Sequence, residues 1–207
     1  MHDLPRVVAL GGGHGLAASL TALRRITDRL TAVVTVADDG GSSGRLRDEF
    51  DILPPGDLRM ALAALCSDDH DGRVWADVFQ ARFTGEGPLA GHAIGNLLIA
   101  GLWQHLGDTV AGLDMVGKLL RIRGRVLPMS SVPLEIEADV LGLDPLEPDE
   151  VCTLSGQATV AKSRATVQHV RLVPDKPPAR PEAVQAVMEA DSVVLGPGSW
   201  FTSVIPH

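Results

Sequence analysis

The stretch RVVALGGGHGLAASLTALRR, residues 6–25, decides the fold. Arg6–Leu10 is a short apolar run that enters Gly11-Gly12-Gly13, and it reads as a buried strand. His14–Arg25 then carries Leu16, Leu20 and Leu23 at helical spacing. Leu30–Val36 is β-branched and apolar and reads as a second strand. Strand, glycine turn, helix and strand form a βαβ unit, which requires parallel pairing and a right-handed crossover. The fold class expected is therefore α/β, with a parallel sheet covered by helices.

Working outward, Ala37–Pro55 reads as a long loop rich in glycine and serine, and loops of that length in compact domains are usually functional. Asp57 is placed to cap a helix over Leu58–Cys66. Gly72–Arg82 and His92–Leu106 are further helices, and Asp108 caps another that runs to Leu120. Arg121–Pro128 and Leu134–Val140 read as strands, and Thr153–Val173 is β-like. Residues 121–173 thus read as a small β-rich lobe inserted into one domain that spans residues 1–207. Pro181–Ala190 is a helix with proline in its first turn. Ser192–Leu195 returns to the parallel sheet and leads into a second glycine turn, Gly196-Pro197-Gly198-Ser199. The chain ends soon after that turn, where a doubly wound domain continues, so a C-terminal part is expected to be missing.

Composition narrows the function. The 207 residues carry a net charge of −8, which excludes a generally basic nucleic-acid surface. Aromatic residues are 3% with no tyrosine, so no base-stacking platform is expected. Cys66 and Cys152 lie far apart and read as reduced thiols of a cytoplasmic protein. Apolar runs such as Ile94–Trp103 are too short to span a bilayer. His2, His70 and His105 show no metal-ligand spacing. No Walker-type loop, C-x-x-C or H-E-x-x-H occurs, and the chain is read as lacking a hydrolase nucleophile elbow.

Six constellations remain. In Gly11-Gly12-Gly13-His14-Gly15 the backbone can approach a phosphate at a helix N-terminus, and Gly13, Gly15 and Ala18 fit a loose dinucleotide fingerprint. A tight turn with no ligand is the alternative. Asp38-Asp39-Gly40-Gly41-Ser42-Ser43-Gly44-Arg45 follows the second strand. Its glycines, Ser42 and Ser43 suit an anion nest, with Arg45 adding charge. Asp38 and Asp39 can hold ribose hydroxyls, a cation or an acceptor hydroxyl. Asp57 and Arg59 sit at a helix start, where a cap with a surface arginine is an equal reading. His92 and Asn96 lie four apart and are expected on one helix face, toward a ligand or as a buried pair. Arg121, Arg123 and Arg125 alternate, which puts them on one side of a strand. Gly196, Gly198 and Ser199, with Thr202 and Ser203, repeat the logic of the first turn, and two such turns at strand ends point to a shared crevice.

In this order the motifs resemble the bacterial gluconeogenesis-factor family, within the superfamily of 2-phospho-L-lactate transferase. The residues that carry the resemblance are Gly11–Leu16, Thr35–Arg47, Leu53–Arg59, Gly91–Asn96, Arg123–Pro128 and Leu195–Ser199. His14 stands where threonine is commoner and looks like the actinobacterial branch. The resemblance implies a Rossmann-like three-layer fold that binds a nucleotide-sugar, linked to uridine diphosphate. It also implies roles in carbon-source adaptation, cell shape and envelope synthesis, and a chain that continues past His207. Its transferase relatives use a guanosine diphosphate-linked donor and magnesium. Three functions are therefore weighed: a UDP-sugar-binding regulator, a magnesium-dependent transferase with Asp38 and Asp39 as its catalytic acids, and a nicotinamide-dependent dehydrogenase. The double acid and the Gly-Gly-Ser-Ser-Gly loop speak against the last. No nucleic-acid partner and no integral membrane segment are expected, and a homo-oligomer stays open.

Overall fold

The computed structural model describes residues 4–204 and 206–207, so His2 lies outside the described residues. The βαβ unit forms as read. Strand β1 (Val7–Gly11) leads through a glycine turn into helix α1 (Gly13–Leu23) and on to strand β2 (Leu30–Val34). Both strands are almost wholly apolar because both faces of a parallel sheet are covered. Val7, Ala9, Ala32 and Val34 face one side, where they pack against Leu16 and Leu20 of α1. Val8 and Val33 face the other.

The first side is closed by a helical layer. Helix α2 spans Gly41–Phe50, α3 Gly56–Ala64, α4 His70–Gln80, α5 Ile94–Leu106 and α6 Thr109–Leu120. Leu58 and Leu62 of α3, Ile99 of α5 and Leu113 of α6 reach one continuous core. Asp108 caps α6 as read, its Oδ1 accepting the Ala111 amide at 2.7 Å. Strand β3 (Arg125–Pro128) then pairs in parallel with β2.

Between β3 and the return to the sheet lies a separate antiparallel sheet of β4 (Glu135–Leu141), β5 (Cys152–Ser155) and β6 (Thr166–Val173), in the order β5-β4-β6. In β4, Ile136, Ala138 and Val140 are buried and alternate with Glu135, Glu137 and Asp139, as period two demands. Helix α7 (Gln157–Lys162) lies between β5 and β6. Helix α8 (Pro181–Met188) has proline at its first turn and covers the second face of the parallel sheet through Ala183, against Val8, Val33 and Leu127. Strand β7 (Ser192–Leu195) joins β1 in parallel, and a short π-helical turn follows over Trp200–Val204.

The parallel sheet thus runs β3-β2-β1-β7 with helices on both faces, a Rossmann-like three-layer α/β arrangement. The chain leaves β1 toward β2 and comes back on β1's other side as β7. That reversal makes the boundary between β1 and β7 a topological switch point.

Three expectations need correction. Ala37–Pro55 is not all loop, because Gly41–Phe50 is α2. Its first turn is poor in helix formers, but Ser42 and Ser43 turn their hydroxyls to neighbouring elements and Leu46 is buried. The β-like run Thr153–Val173 is interrupted by α7. The strand expected from Arg121 begins only at Arg125. Arg121 has a left-handed backbone at the end of α6 (φ 50°), and Gly124 turns at φ 114° against the Leu30 carbonyl. Arg121, Arg123 and Arg125 therefore share no strand face. Arg125 instead forks onto Asp114, at 2.9 and 2.7 Å.

Candidate functional site

The first glycine turn is shaped by what stands behind it. Gly12 is backed so closely by the Asp57 carboxylate and the Thr35 methyl that any side chain there would overlap both. Gly13 has φ 57° and donates its amide to Asp57. A Cβ on Gly15 would run into the carbonyl of Pro197, in the second glycine turn. Ser19 Oγ, one turn further along α1, donates to the Gly196 carbonyl at 3.1 Å. The two glycine turns therefore meet at the β1–β7 boundary. His14 is exposed on the first turn of α1, and His207 Nε2 lies 3.2 Å from the Gly11 carbonyl. Gly196 (φ 86°) is buried, Gly198 packs on Ser203, and the Ser199 carbonyl accepts the Ser203 and Val204 amides.

The two adjacent acids separate. Asp38 turns toward α3. Its Oδ1 accepts the Gly40 amide at 3.0 Å, Ser43 donates to it, and Gly56 passes so close that a Cβ there would overlap its Oδ2. Asp39 turns the other way, and its Oδ1 accepts the Ala158 amide of α7 at 3.0 Å. The carboxylate that pairs with Asp38 is Asp57, in the first turn of α3. It is not the cap expected for that helix: Pro55 holds the N-cap position, with its carbonyl accepting the Arg59 amide at 2.8 Å. Burial, with Asp38 beside it, pushes the Asp57 carboxyl up to about 7 against the pull of the Gly13 amide and Arg59. Burial also raises Asp38 above the usual carboxylate range, although the Gly40 and Ser43 bonds oppose it.

Ser42 sits at the centre of a second cluster. Its Oγ lies 3.3 Å from the Ala93 amide, 3.0 Å from Asn96 Nδ2 and 3.0 Å from His92 Nδ1. The first two are donors and fill the hydroxyl's two acceptor sites, so its proton goes to His92 Nδ1. This assigns His92 the neutral form with its proton on Nε2, which agrees with burial and Arg45 lowering its pKa. Asn96 in turn accepts Arg59 Nε on its Oδ1 at 2.9 Å. The pair is thus joined, but not as expected: His92 precedes the helix, whose N-cap is Ala93, and the two meet through Ser42 rather than across one helix face. Arg45 is exposed and donates to the Ala90 carbonyl at 2.9 Å, and Gly41 opens α2 at φ 48° with free space around it.

One reading of the motifs changes here. Gly40-Gly41-Ser42-Ser43-Gly44 does carry the G-x-S-x-G spacing of a nucleophile elbow. Geometry excludes the role by another route. Ser42 is 2% exposed and its oxygen is filled by two N–H donors, so it clasps α5 to α2.

Sequence reasoning left two residues out of the candidate site: Thr35, at the head of the Thr35–Arg47 motif, whose Oγ1 is buried beside Gly12 without a partner among the described residues, and Arg82, an exposed arginine after α4 whose charge reaches Arg59 and His92. A threonine closing an apolar strand was the only signal for the first; nothing in the local pattern marked the second. Among the described residues no group of three or more His, Cys, Asp or Glu is placed to hold a metal ion, and no helix is long and apolar enough to cross a membrane.

Comparison with known proteins agrees with this arrangement. The family model for 2-phospho-L-lactate transferase CofD matches residues 7–207. A Mycobacterium tuberculosis chain, provisionally named a gluconeogenesis factor, is 62% identical over 97% of this chain and 58% of its own. The gluconeogenesis factors of Listeria monocytogenes and Bacillus subtilis are 40% and 38% identical over 98% and 100% of this chain, and over 60% and 62% of their own. A crystal structure of a UPF0052-family protein from Bacillus halodurans superposes with a TM-score of 0.87 at 38% identity, covering 100% of this chain and 63% of that one. The chain spans about three fifths of the length of these relatives. A parallel sheet reversing at β1, two glycine turns in contact there and a match over nearly every residue lead to one assignment: this chain belongs to the CofD family, together with the bacterial gluconeogenesis factors.

Proposed function

We propose that the protein is a cytoplasmic regulator that binds a nucleotide-sugar, with the ligand's diphosphate on the two glycine turns. The observation that carries this reading is the contact of Gly15 with Pro197, which sets two phosphate-suited turns side by side at the switch point. Gly13 spends its amide on Asp57, and the dipole of α1 favours an anion at this turn. The orphaned Thr35 hydroxyl behind Gly12 supports a polar ligand near that turn. Asp38 fits the sugar or ribose side, since a half-buried carboxylate accepts paired hydroxyls well. The names of the Listeria and Bacillus relatives support a role in carbon-source adaptation, and the family resemblance extends this to cell shape and envelope synthesis.

The test is calorimetry with UDP-N-acetylglucosamine, UDP, GDP and NAD. Saturable binding of the uridine ligands is expected, with NAD silent. No heat from any uridine ligand overturns the reading, and preference for GDP moves it to the transferase branch.

A transferase reading is favoured by one specific observation, the Asp38–Asp57 pair. Two carboxylates beside a diphosphate suit a hard cation such as magnesium, whose remaining ligands would be phosphate and water oxygens. Magnesium would neutralise charge on the departing diphosphate. Asp39, anchored to α7, is less available for this work than Asp57.

A further inference from the structure

Arg59 is a buried arginine whose side chain is only partly paired among the described residues. It is 6% exposed, and its Nε is spent on Asn96. Its two terminal nitrogens meet no hydrogen-bond acceptor among the described residues. Only the terminal end of this guanidinium reaches solvent, and its planar fork matches an oxyanion. Arg82 lies within electrostatic reach of it, and Arg45 meets Arg82 on the same loop. Arg82 Nη1 donates to the Gly91 carbonyl at 2.7 Å and Arg45 Nη2 to the Ala90 carbonyl at 2.9 Å, so both are pinned to the loop that leads into α5.

Arg45 and Arg82 both act on the neutral His92, with Glu49 the acid that opposes them at the imidazole. Burial and Arg82 push Arg59 down to about 10, in spite of Asp57 and Asp38. Arg59 and Arg82 repel one another across this corner, a repulsion that a bound anion relieves.

We propose that Arg59, Arg82 and Arg45 form a second oxyanion site, between α2, α3 and the loop before α5, distinct from the glycine turns. It takes the carboxylate or phosphate of a small organic anion. Arg59 supplies the fork from below, and Arg82 and Arg45 close from the solvent side. The site does not depend on the diphosphate reading. Where both hold, the ligand or its co-substrate is acidic at the end remote from the diphosphate.

The experiment is a backbone-amide NMR titration of the protein with inorganic phosphate and, separately, with malonate. These probes distinguish a phosphate from a carboxylate source. Saturable shifts at Ala90–Asn96 with one or both are expected. Arg82→Gln, at an exposed position, should weaken that binding about five-fold or more, as loss of one charge-assisted partner does. Arg59→Lys should weaken it while keeping the charge, because the fork is lost. If Arg59→Lys does not fold, Arg82→Gln decides. Shifts confined to Gly11–Gly15, no saturable shift at Ala90–Asn96, or unchanged affinity in Arg82→Gln overturn the proposal. A parallel UDP titration keeps the two ideas apart: failure of UDP to bind sinks the diphosphate reading and leaves this one standing.

Discussion

Asn96 Nδ2 donates to Ser42 Oγ at 3.0 Å, across 54 residues of chain, and so ties the first turn of α5 to the first turn of α2. The same oxygen serves the Ala93 amide and His92. Ser42→Ala leaves three buried groups short of a partner at once. It should cost about 1–3 kcal/mol, read as a lower urea midpoint with the slope unchanged. Ser199→Ala is the control. Its hydroxyl is exposed and has no bond among the described residues, so the midpoint should move by less than about 0.5 kcal/mol.

Two glycines in helices should respond with opposite signs. Gly15→Ala drives a methyl into the Pro197 backbone, where neither partner is a flexible side-chain end. It should destabilise by about 1–3 kcal/mol and weaken ligand binding, because the two turns must part. Gly101, inside α5, has open space where a methyl would go. Gly101→Ala should stabilise by about 0.5–1 kcal/mol through helix propensity and unfolded-state entropy. Thermal unfolding of both variants checks the pair.

Asp57 gives a pH dependence with a definite sign. Its carboxyl rises from 3.8 when unfolded to about 7 when folded, so folding takes up a proton between those values. This group's contribution is fully present below about pH 4 and is lost as the pH climbs through about 7. Asp57→Asn keeps an oxygen for the Gly13 amide and removes the ionisation. It should match the wild type near pH 4 and exceed it by about 1–2 kcal/mol at pH 8, a range below the full shift because the group is partly hydrated. Urea unfolding at the two pH values decides it; a constant difference would mean that Asp57 does not titrate as its surroundings dictate.

The sheet was legible because its residues have one task. Val7–Leu10 and Leu30–Val34 are buried on both faces, so apolar character alone marks them, and glycine punctuation locates the turns. Asp108 was legible because a cap acts locally. Helix α2 was not, since Gly41-Ser42-Ser43-Gly44 resembles a loop until His92, Asn96 and Gly56 arrive from elsewhere to use the serines. Helix α7 has a single buried residue, Val160, too little for a periodic signal. The Asp38–Asp57 pairing was hidden for a related reason. Adjacency in sequence favoured Asp39, but neighbouring residues on an extended segment point apart, and the partner came from the next helix.

That divergence has a consequence for how the antiparallel sheet and the acid loop work together. Asp39 Oδ1 is already committed to the Ala158 amide at the head of α7. The Ala158 amide takes one of the sites at which this carboxylate accepts, so an incoming ligand would share Asp39 with α7. A partner that lifts the antiparallel sheet away frees Asp39 beside Asp38. Docking on one side and ligand capture on the other then meet at a single carboxylate.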